Sequence, residues 1–264
     1  MIIRSRHITD SWLRFEAEGA KHAVIFLHGL KGSNGQDYWG KLPALLCNDR
    51  SFSSVDFAWW QYPTHRWPSP RILEIARWHR KLPNIPDIAK SLITDLRAIV
   101  IEKRYESIAL AGHSMGGIIL FELIQTLKSP TPFGVNTRIG GLALLSSPFW
   151  RSRLALAVSI VQLGTNCQLV YLAHKGRLSR SLKAGIEVCK GLNISTWYVG
   201  TMEDEVVQYK PIYDTFDKSE MIGGAHLWMP EINSIGDSKF TALTRFVQAG
   251  TGLRLSGQVG SSQS

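Results

Sequence analysis

The chain has 264 residues, 44% hydrophobic and 19% charged, and its 30 Lys and Arg outweigh 21 Asp and Glu to give a net charge of +9. This composition excludes a wholly disordered chain and a coiled coil, and the longest apolar run, Leu154 to Val161, is shorter than the ~18 residues of a membrane-spanning helix. The basic excess favours an anionic partner such as nucleic acid, phospholipid or an acidic substrate, although a basic enzyme without such a partner fits equally well.

From the N-terminus, short apolar runs alternate with apolar residues at helical spacing. The runs predict strands at Ala23–His28, Ser53–Ala58, Ser107–Ala111, Ile139–Leu145, Ile194–Val199 and Ser219–Ile222. The helical spacing predicts helices at Ile85–Arg104 and Met115–Leu127 and one that includes Phe240–Val247. Such alternation predicts a mostly parallel sheet covered by helices.

Two stretches fit this alternation poorly and are expected to be insertions over one end of the sheet. Residues 57–83 are crowded with aromatic residues, prolines and arginines, and residues 149–192 are long and basic. The second is either a cap or a solvated crossover helix with a basic face. We expect one domain over residues 1–249 and a flexible Gly- and Ser-rich tail over residues 250–264.

The strongest motif is GHSMGG, which begins at Gly112 and lies between a predicted strand and a predicted helix. This context is the one that a nucleophile elbow requires, with the hydroxyl of Ser114 raised clear of the sheet on a strained turn. Glycines two residues before and two after the serine leave room for such a turn, and the helix N-terminus favours a developing oxyanion. The alternative is a Gly-rich turn between packed elements.

A second Gly-rich turn follows the first buried strand, in the sequence HGLKGS from His28 to Ser33. Acyl transfer requires two backbone N–H donors for the oxyanion, and we predict that they belong to Met115 and to Leu30 or a neighbour of Leu30. A phosphate cradle is the alternative, but neither of the common Gly-rich phosphate-binding motifs is present.

A serine nucleophile needs a base and an orienting carboxylate, in the chain order Ser, Asp or Glu, His. His226 lies in a Gly-rich loop after the last predicted strand and is the expected base, whereas His174 lies within the basic insertion. Three carboxylates follow the strand Ile194–Val199, and Asp204 is favoured over Glu203 and Glu205 because Val206 and Val207 then form the short turn that follows the acid.

The sequences LHGLKGS, AGHSMGG, GTMEDEVV and GGAHLW, in this order between Leu27 and Trp228, resemble the α/β-hydrolase superfamily. HGLKGS followed by Tyr38-Trp39 and by QYPT at 61–64 is similar to its lipase-like branch, which includes serine-active-site-containing proteins and relatives of inositol deacylases. The resemblance implies the α/β-hydrolase fold with a small cap, and hydrolysis of an ester, thioester or amide through an acyl-enzyme without a metal or organic cofactor.

Further residues are candidates for the substrate site, namely His28, Gly29, His113, Trp59, Trp60 and Phe149. His28 is expected to shape the oxyanion loop, and His113 to pack beneath the site. The aromatic and basic residues of 57–83 suit a pocket wall, a lid that contacts lipid or, least of all, a nucleic-acid site, since no nucleic-acid-binding motif is present.

We therefore predict a serine esterase or lipase-like hydrolase that acts on a small-molecule or lipid acyl ester. A thioesterase, an acyltransferase and an amidase share the same residues, and the sequence also fits a non-catalytic binding protein or a basic surface-binding protein. Because both insertions are basic, an anionic substrate or membrane surface is the leading explanation of the charge.

Cys47, Cys167 and Cys189 lack metal or disulfide spacing, and MIIRSRHITD lacks the apolar core of a signal peptide. Both observations favour a cytoplasmic location.

Overall fold

The computed structural model describes residues 4–30, 32–64, 82–128, 134–149, 168, 171–172, 175–204, 215–226 and 229–253. The strands within these ranges are β1 (Arg4–Ile8), β2 (Trp12–Ala17), β3 (His22–Leu27), β4 (Val55–Trp60), β5 (Ser107–His113), β6 (Ile139–Leu145), β7 (Ser195–Thr201) and β8 (Lys218–Ile222). The named helices are α1 (Gln36–Trp39), α2 (Leu42–Asn48), α3 (Ile85–Lys103), α4 (Met115–Thr126), α5 (Val135–Arg138), α6 (Lys175–Gly191) and α7 (Ser238–Thr251).

The strands form one sheet in the order β1-β2-β4-β3-β5-β6-β7-β8. β2 pairs antiparallel with both β1 and β4, and the remaining neighbours pair in parallel. The predicted mostly parallel sheet is therefore confirmed. Because parallel strands end at the same edge, the loops after β3, β5, β7 and β8 lie at one edge of the sheet, where open α/β sheets form their sites.

Helices cover both faces of this sheet, as predicted. On one face Leu92 of α3, Ile119 of α4 and Leu182 of α6 are buried in a single apolar cluster. On the other face Leu42 of α2 and Phe246 of α7 belong to a second cluster. The sheet is buried between the two clusters, which gives the carboxyl edge a rigid support.

The N-terminal hairpin of β1 and β2 was not predicted, and neither were the short helices α1 and α2. β1 is an edge strand with mostly exposed side chains, so its sequence lacks the apolar run or alternation that indicates a strand. β1 is held by its pairing with β2 and by Arg4, whose guanidinium donates to the carbonyl oxygens of Phe52 (2.6 Å) and Val55. The contacts of Arg4 depend on residues far along the chain and have no local signature.

The predicted insertion at 57–83 begins too early, because Phe57 to Trp60 belong to β4. Successive side chains of a strand face opposite sides of the sheet, so Trp59 and Trp60 enter opposite apolar clusters. Trp59 stacks on Phe26 with 4.9 Å between ring centroids, and Trp60 Nε1–H donates to Asp95 Oδ2 at 2.7 Å. Both indoles are buried in the core, so the structure does not support the prediction that they bind substrate. Residues 65–81 of this insertion lie outside the described residues.

Part of the second predicted insertion is α6, which packs on α4 and leads into β7. A Cβ on Gly185 would lie 2.7 Å from Cε1 of Phe121, which shows how closely the two helices approach. This arrangement agrees with the crossover-helix alternative for 175–191, while most of 150–174 lies outside the described residues. At the C-terminus α7 continues to Thr251, so the expected start of the tail at 250 falls inside a helix.

The contact between α7 and the sheet generates a prediction about stability. A Cβ on Gly141 of β6 would lie 2.6 Å from the Cα of Gly250, a backbone atom that cannot rotate away. We expect Gly141→Ala to lower the free energy of unfolding by about 1–3 kcal/mol, the usual cost of overpacking. Urea denaturation measures the change.

Gly191→Ala is the matched control, because a Cβ at Gly191 meets nothing within 4 Å. Its unfolding midpoint should equal or slightly exceed that of the wild type, since alanine favours helix. Equal midpoints for Gly141→Ala and the wild type would show that the close approach is not a constraint.

Candidate active site

The turn between β5 and α4 holds Ser114 in a strained backbone conformation. Its φ is 52° and its ψ is −119°, a region that residues with a side chain rarely occupy. The N–H of Ser114 donates to the carbonyl of Leu145 on β6 at 2.8 Å, and Met115 is the first residue of α4. The predicted strand, turn and helix are therefore present, with the serine at the carboxyl edge of the sheet.

Two glycines make this turn sterically feasible. A Cβ on Gly112 would lie 2.5 Å from the carbonyl carbon of Gly116, so the turn closes on its own backbone. A Cβ on Gly116 would lie 2.6 Å from the carbonyl oxygens of Leu27 and His28. The start of α4 thus packs directly against the end of β3, which brings the loop after β3 beside Ser114.

Ser114, His226 and Asp204 form a chain of hydrogen bonds. Ser114 Oγ lies 2.9 Å from His226 Nε2, and His226 Nδ1 lies 2.9 Å from Asp204 Oδ2. Since a carboxylate only accepts, His226 Nδ1–H donates to Asp204, and Nε2 is left to accept the hydroxyl proton of Ser114. Exposure is 8% for Ser114 and 3% for His226, so little water competes for these bonds.

Among the three candidate acids, the structure places Asp204 against the histidine. The side chain of Glu203 is exposed, and Glu205 lies outside the described residues. The hydroxyl of Thr201 at the end of β7 also donates to Asp204 Oδ2, at 3.3 Å. His174, the alternative base, lies outside the described residues as well.

Backbone hydrogen bonds tie the loop of the acid to the loop of the histidine. Met202 N–H donates to the carbonyl of Ile222 at 2.9 Å, and Glu203 N–H donates to that of Gly224 at 3.3 Å. Gly224 has a φ of 114°, which favours glycine. These bonds hold the loop after β7 beside the loop after β8. Asp204 in the first loop can therefore contact the imidazole of His226 in the second.

The loop after β3 places Gly29 against the nucleophile. A Cβ on Gly29 would lie 2.9 Å from the Cβ of Ser114. The carbonyl of Gly29 accepts from His28 Nδ1–H at 2.8 Å and from Gly32 N–H at 3.0 Å. Because the carbonyl and the N–H across a trans peptide point in opposite directions, these bonds also fix the direction of the Leu30 N–H.

His28 is held by a tyrosine for which the sequence predicted no role. Its ring stacks on Tyr62 with 4.1 Å between centroids, and the Tyr62 hydroxyl donates to the carbonyl of His28. Burial lowers the pKa of His28 to about 4. Neutral His28 donates from Nδ1 to the Gly29 carbonyl, and its ring is fully buried in this stack. Its expected role in shaping the oxyanion loop stays a prediction.

His113 is also buried, and it contacts a second tyrosine that was not assigned a role. The Tyr38 hydroxyl contacts His113 Nδ1, and His113 Nε2–H donates to the carbonyl of His226 at 3.1 Å. Desolvation by burial, together with the nearby His226, holds the pKa of His113 well below its usual value. Phe149 packs against Phe121 within the core and is fully buried, so the prediction that it binds substrate is not supported.

The two cysteines in the described residues are unsuited to nucleophilic chemistry at neutral pH. Burial raises the pKa of Cys47 to about 11 and that of Cys189 to about 12, so both free thiols stay protonated at neutral pH. The described residues contain no group of three or more His, Cys, Asp or Glu that could hold a metal ion. No helix in the described ranges is long and apolar enough to cross a membrane.

No protein-family model and no curated protein matches the chain. Solved structures do match it. The peroxisomal α/β-hydrolase Lpx1 of Saccharomyces cerevisiae is 12% identical over 96% of this chain and 85% of Lpx1, with a TM-score of 0.60. A monoacylglycerol lipase of Paleococcus ferrophilus is 14% identical over 88% of this chain and 95% of the lipase, with a TM-score of 0.53.

The chain spans 37% of the length of the phospholipase PlaB of Legionella pneumophila, with 18% identity and a TM-score of 0.48. Together with the sheet order and the strand–turn–helix around Ser114, the near full-length matches show that this chain has the α/β-hydrolase fold. At such identities a structural match establishes the fold alone, so the resemblance to the lipase-like branch stays a prediction.

The buried histidines generate a prediction about pH. The pKa of His28 falls to about 4 in the folded state, against about 6.5 for an exposed histidine, so the unfolded chain alone binds a proton between these values. The contribution of neutral His28 to the free energy of unfolding is therefore complete above pH 6.5 and is lost as the pH falls toward 4. His113 acts in the same direction. We expect His28 to account for about 2 kcal/mol of lost stability at pH 5.

Urea denaturation at pH 7.5 and pH 5 measures this loss in the wild type and in His28→Asn, which has no group titrating in the window. The variant should be less stable at pH 7.5 and lose less stability at pH 5. Identical losses in the two proteins would show that His28 is not the group responsible.

Proposed function

We propose that this protein is a serine hydrolase that cleaves carboxylic esters through an acyl-enzyme intermediate. The observation that most supports the proposal is the chain Ser114, His226, Asp204, with 2.9 Å at both links. A serine hydroxyl is a weak nucleophile and becomes reactive when an adjacent base accepts its proton. The strained backbone of Ser114 adds support, because strain of this kind clusters at functional sites.

In the proposed first step, Ser114 Oγ attacks the acyl carbonyl carbon while His226 Nε2 accepts the hydroxyl proton. Asp204 holds Nδ1–H of the imidazole, which keeps Nε2 directed at the serine and stabilises the imidazolium that forms. The Oγ–Nε2 distance of 2.9 Å lies within the reach that general-base catalysis requires.

The negative charge on the substrate oxygen requires donors that are already in place. Met115 is the first residue of α4, so its N–H has no acceptor within the helix and is available to the oxyanion. We assign the second donor to Leu30, because Gly29 lies against Ser114 and its bonded carbonyl fixes the Leu30 N–H. The positive end of α4 adds to both donors.

Collapse of this intermediate transfers the proton from His226 to the leaving alcohol and leaves the acyl group on Ser114. Water then attacks the acyl-enzyme, with His226 again acting as the base, and releases the acid. The proposed steps use side chains, backbone N–H groups and water, without a metal or an organic cofactor.

Lipid acyl esters are the proposed substrate class. The monoacylglycerol lipase that this chain resembles acts on an ester by its name, which supports an ester over an amide. A thioesterase or an acyltransferase would use the same three residues, and a comparison of rates on an ester and a thioester of the same acyl chain separates them. A non-catalytic binding protein has no use for an aligned base and acid.

The triad assignment predicts the behaviour of three variants. Ser114→Ala and His226→Ala should lose fluorophosphonate labelling and at least about 1,000-fold in kcat on p-nitrophenyl esters of increasing chain length. Asp204→Asn should lower kcat by about 10⁴-fold, because the imidazole then adopts the wrong tautomer. Activity-based labelling and steady-state kinetics measure these losses.

Glu203→Gln is the matched control, since it neutralises the exposed carboxylate next to Asp204 and should keep the wild-type rate. A Ser114→Ala protein that retains wild-type esterase activity would overturn the proposal. Equal losses in Glu203→Gln and Asp204→Asn would overturn the choice of acid.

The basic charge supports a finer proposal, that the enzyme works as a cytoplasmic protein at an anionic membrane surface. Arg177, Arg180 and Lys183 are exposed on α6 at a spacing of three residues, which places them along one side of the helix. Each basic residue near an anionic bilayer contributes about 1 kcal/mol of attraction. We expect no nucleic-acid partner.

The wild type should therefore pellet with vesicles that contain phosphatidylserine and should be released by high salt. Replacement of Arg177, Arg180 and Lys183 by Gln should weaken this binding by about 100-fold. The same replacement of Lys21, Lys90 and Lys128, which are exposed elsewhere, changes the net charge equally and should weaken it far less. Equal weakening would assign the effect to net charge rather than to α6.

A further inference from the structure

Two polar side chains beside the nucleophile take no part in the chemistry proposed above. The hydroxyl of Tyr38 and Nδ1 of His113 both lie against Gly29, since a Cβ there would be 2.7 Å from the hydroxyl and 3.1 Å from Nδ1. His113 is 2% exposed, and it immediately precedes Ser114. Buried polar groups at such a position are costly unless they are paired, so their partners indicate what they do.

The direction of each hydrogen bond follows from its partners. His113 Nε2 faces the carbonyl oxygen of His226 at 3.1 Å, so Nε2 bears the proton and Nδ1 is an acceptor. The Tyr38 hydroxyl donates to this Nδ1 and accepts the N–H of Gly29, whose nitrogen lies 2.7 Å from the oxygen. One unbroken set of bonds therefore runs from Gly29 through Tyr38 and His113 to His226. We call it the Tyr38–His113 bridge.

We propose that the Tyr38–His113 bridge positions the oxyanion loop and the loop of His226 relative to Ser114, so that Tyr38 and His113 are positioning residues of the active site. The inference rests on the serine hydrolase function proposed above.

At one end the bridge fixes the peptide that leads to the second oxyanion donor. Tyr38 holds the Gly29 N–H, and His28 holds the Gly29 carbonyl at 2.8 Å, so both polar backbone groups of Gly29 are bonded. With both groups fixed, the Leu30 N–H keeps its direction before substrate arrives. A donor fixed in advance stabilises the transition state without a cost of reorganisation.

At the other end the bridge holds the backbone of the base. The carbonyl of His226 accepts from His113, and the imidazoles of the two residues lie 5.0 Å apart between centroids. A neutral His113 matters here, because a second positive charge at this distance would oppose the imidazolium that His226 forms during the reaction. Desolvation and the proximity of His226 hold the pKa of His113 low enough to keep it neutral.

Tyr38→Phe tests the first half of the bridge, because it removes the hydroxyl and keeps the ring that packs against His28 and Trp39. Loss of an oxyanion donor costs about 10²–10³ in kcat, and misalignment of one should cost less. We expect kcat to fall about 10–100-fold with KM changed less than about 2-fold, since the donor acts mainly in the transition state.

Tyr105→Phe is the matched control. Tyr105 is a buried tyrosine whose hydroxyl donates to Asp56 at 2.5 Å, outside the candidate site, so its loss should lower stability and leave kcat unchanged. Wild-type kcat in Tyr38→Phe, or a kcat loss in Tyr105→Phe equal to that in Tyr38→Phe, would overturn the proposal.

Two variants of His113 each remove one of its two hydrogen bonds and keep the other. Gln places an amide near Nε2 and can still donate to His226, whereas Asn places an acceptor near Nδ1 and can still receive the Tyr38 proton. His113→Gln and Tyr38→Phe break the same bond, so their effects on kcat should not add, whereas those of His113→Asn and Tyr38→Phe should add. The reverse pattern would overturn the proposal.

A measurement that needs no activity separates this proposal from the proposed function. In ¹⁵N-histidine-labelled protein, His113 should give the spectrum of the Nε2–H tautomer, and its Nδ1 resonance should move in Tyr38→Phe. An unmoved resonance overturns the bridge even if Ser114 reacts with a fluorophosphonate. Failure of the wild type to react with the fluorophosphonate and to cleave esters overturns the proposed function, and with it the catalytic role of the bridge.

Discussion

The tight turn after β5 is the constraint on which the candidate site depends. The turn closes because Gly112 meets the backbone of Gly116 at a distance that excludes any side chain. It forces Ser114 to a positive φ and starts α4 at the next residue. Gly116 then packs against the end of β3, so the loop that bears the proposed second oxyanion donor must pass beside the serine. The strained backbone of Ser114 is thus held in place by the packing of α4 against β3.

The sheet order brings together residues that are far apart in the chain. His226 and Ser114 are separated by 112 positions and meet because β5 and β8 end at the same edge. Backbone hydrogen bonds between the loops after β7 and β8 hold Asp204 next to His226. A parallel sheet suits the proposed chemistry because each strand leads into a loop at the same edge, while the helices on both faces keep that edge rigid.

The polar groups around the serine form two layers with different tasks. Ser114, His226 and Asp204 form the hydrogen-bonded chain that is proposed to move a proton, whereas His28, Tyr62, Tyr38 and His113 hold backbone groups. Burial keeps the two supporting histidines neutral by lowering the pKa of each, so each has one donor and one acceptor nitrogen. Fixed tautomers give each hydrogen bond one direction, which favours a single arrangement of the loops.

The sequence by itself determined the features that depend on local backbone geometry. Glycine spacing identified the turn at Ser114, and apolar runs located β6 from Ile139 to Leu145. The valines at 206 and 207 favoured Asp204 over its neighbours, and in the structure Asp204 contacts His226. Tertiary structure alone decided which faces are covered. Trp59 and Trp60 were assigned to an insertion because aromatic residues, prolines and arginines crowd the sequence that follows them, whereas the structure buries both in β4. Tyr38 contacts His113, which lies 75 positions away, so no local pattern could have indicated its place in the site. Local steric rules can be read from neighbouring residues, whereas burial and hydrogen-bond partners depend on which distant segments the fold brings into contact.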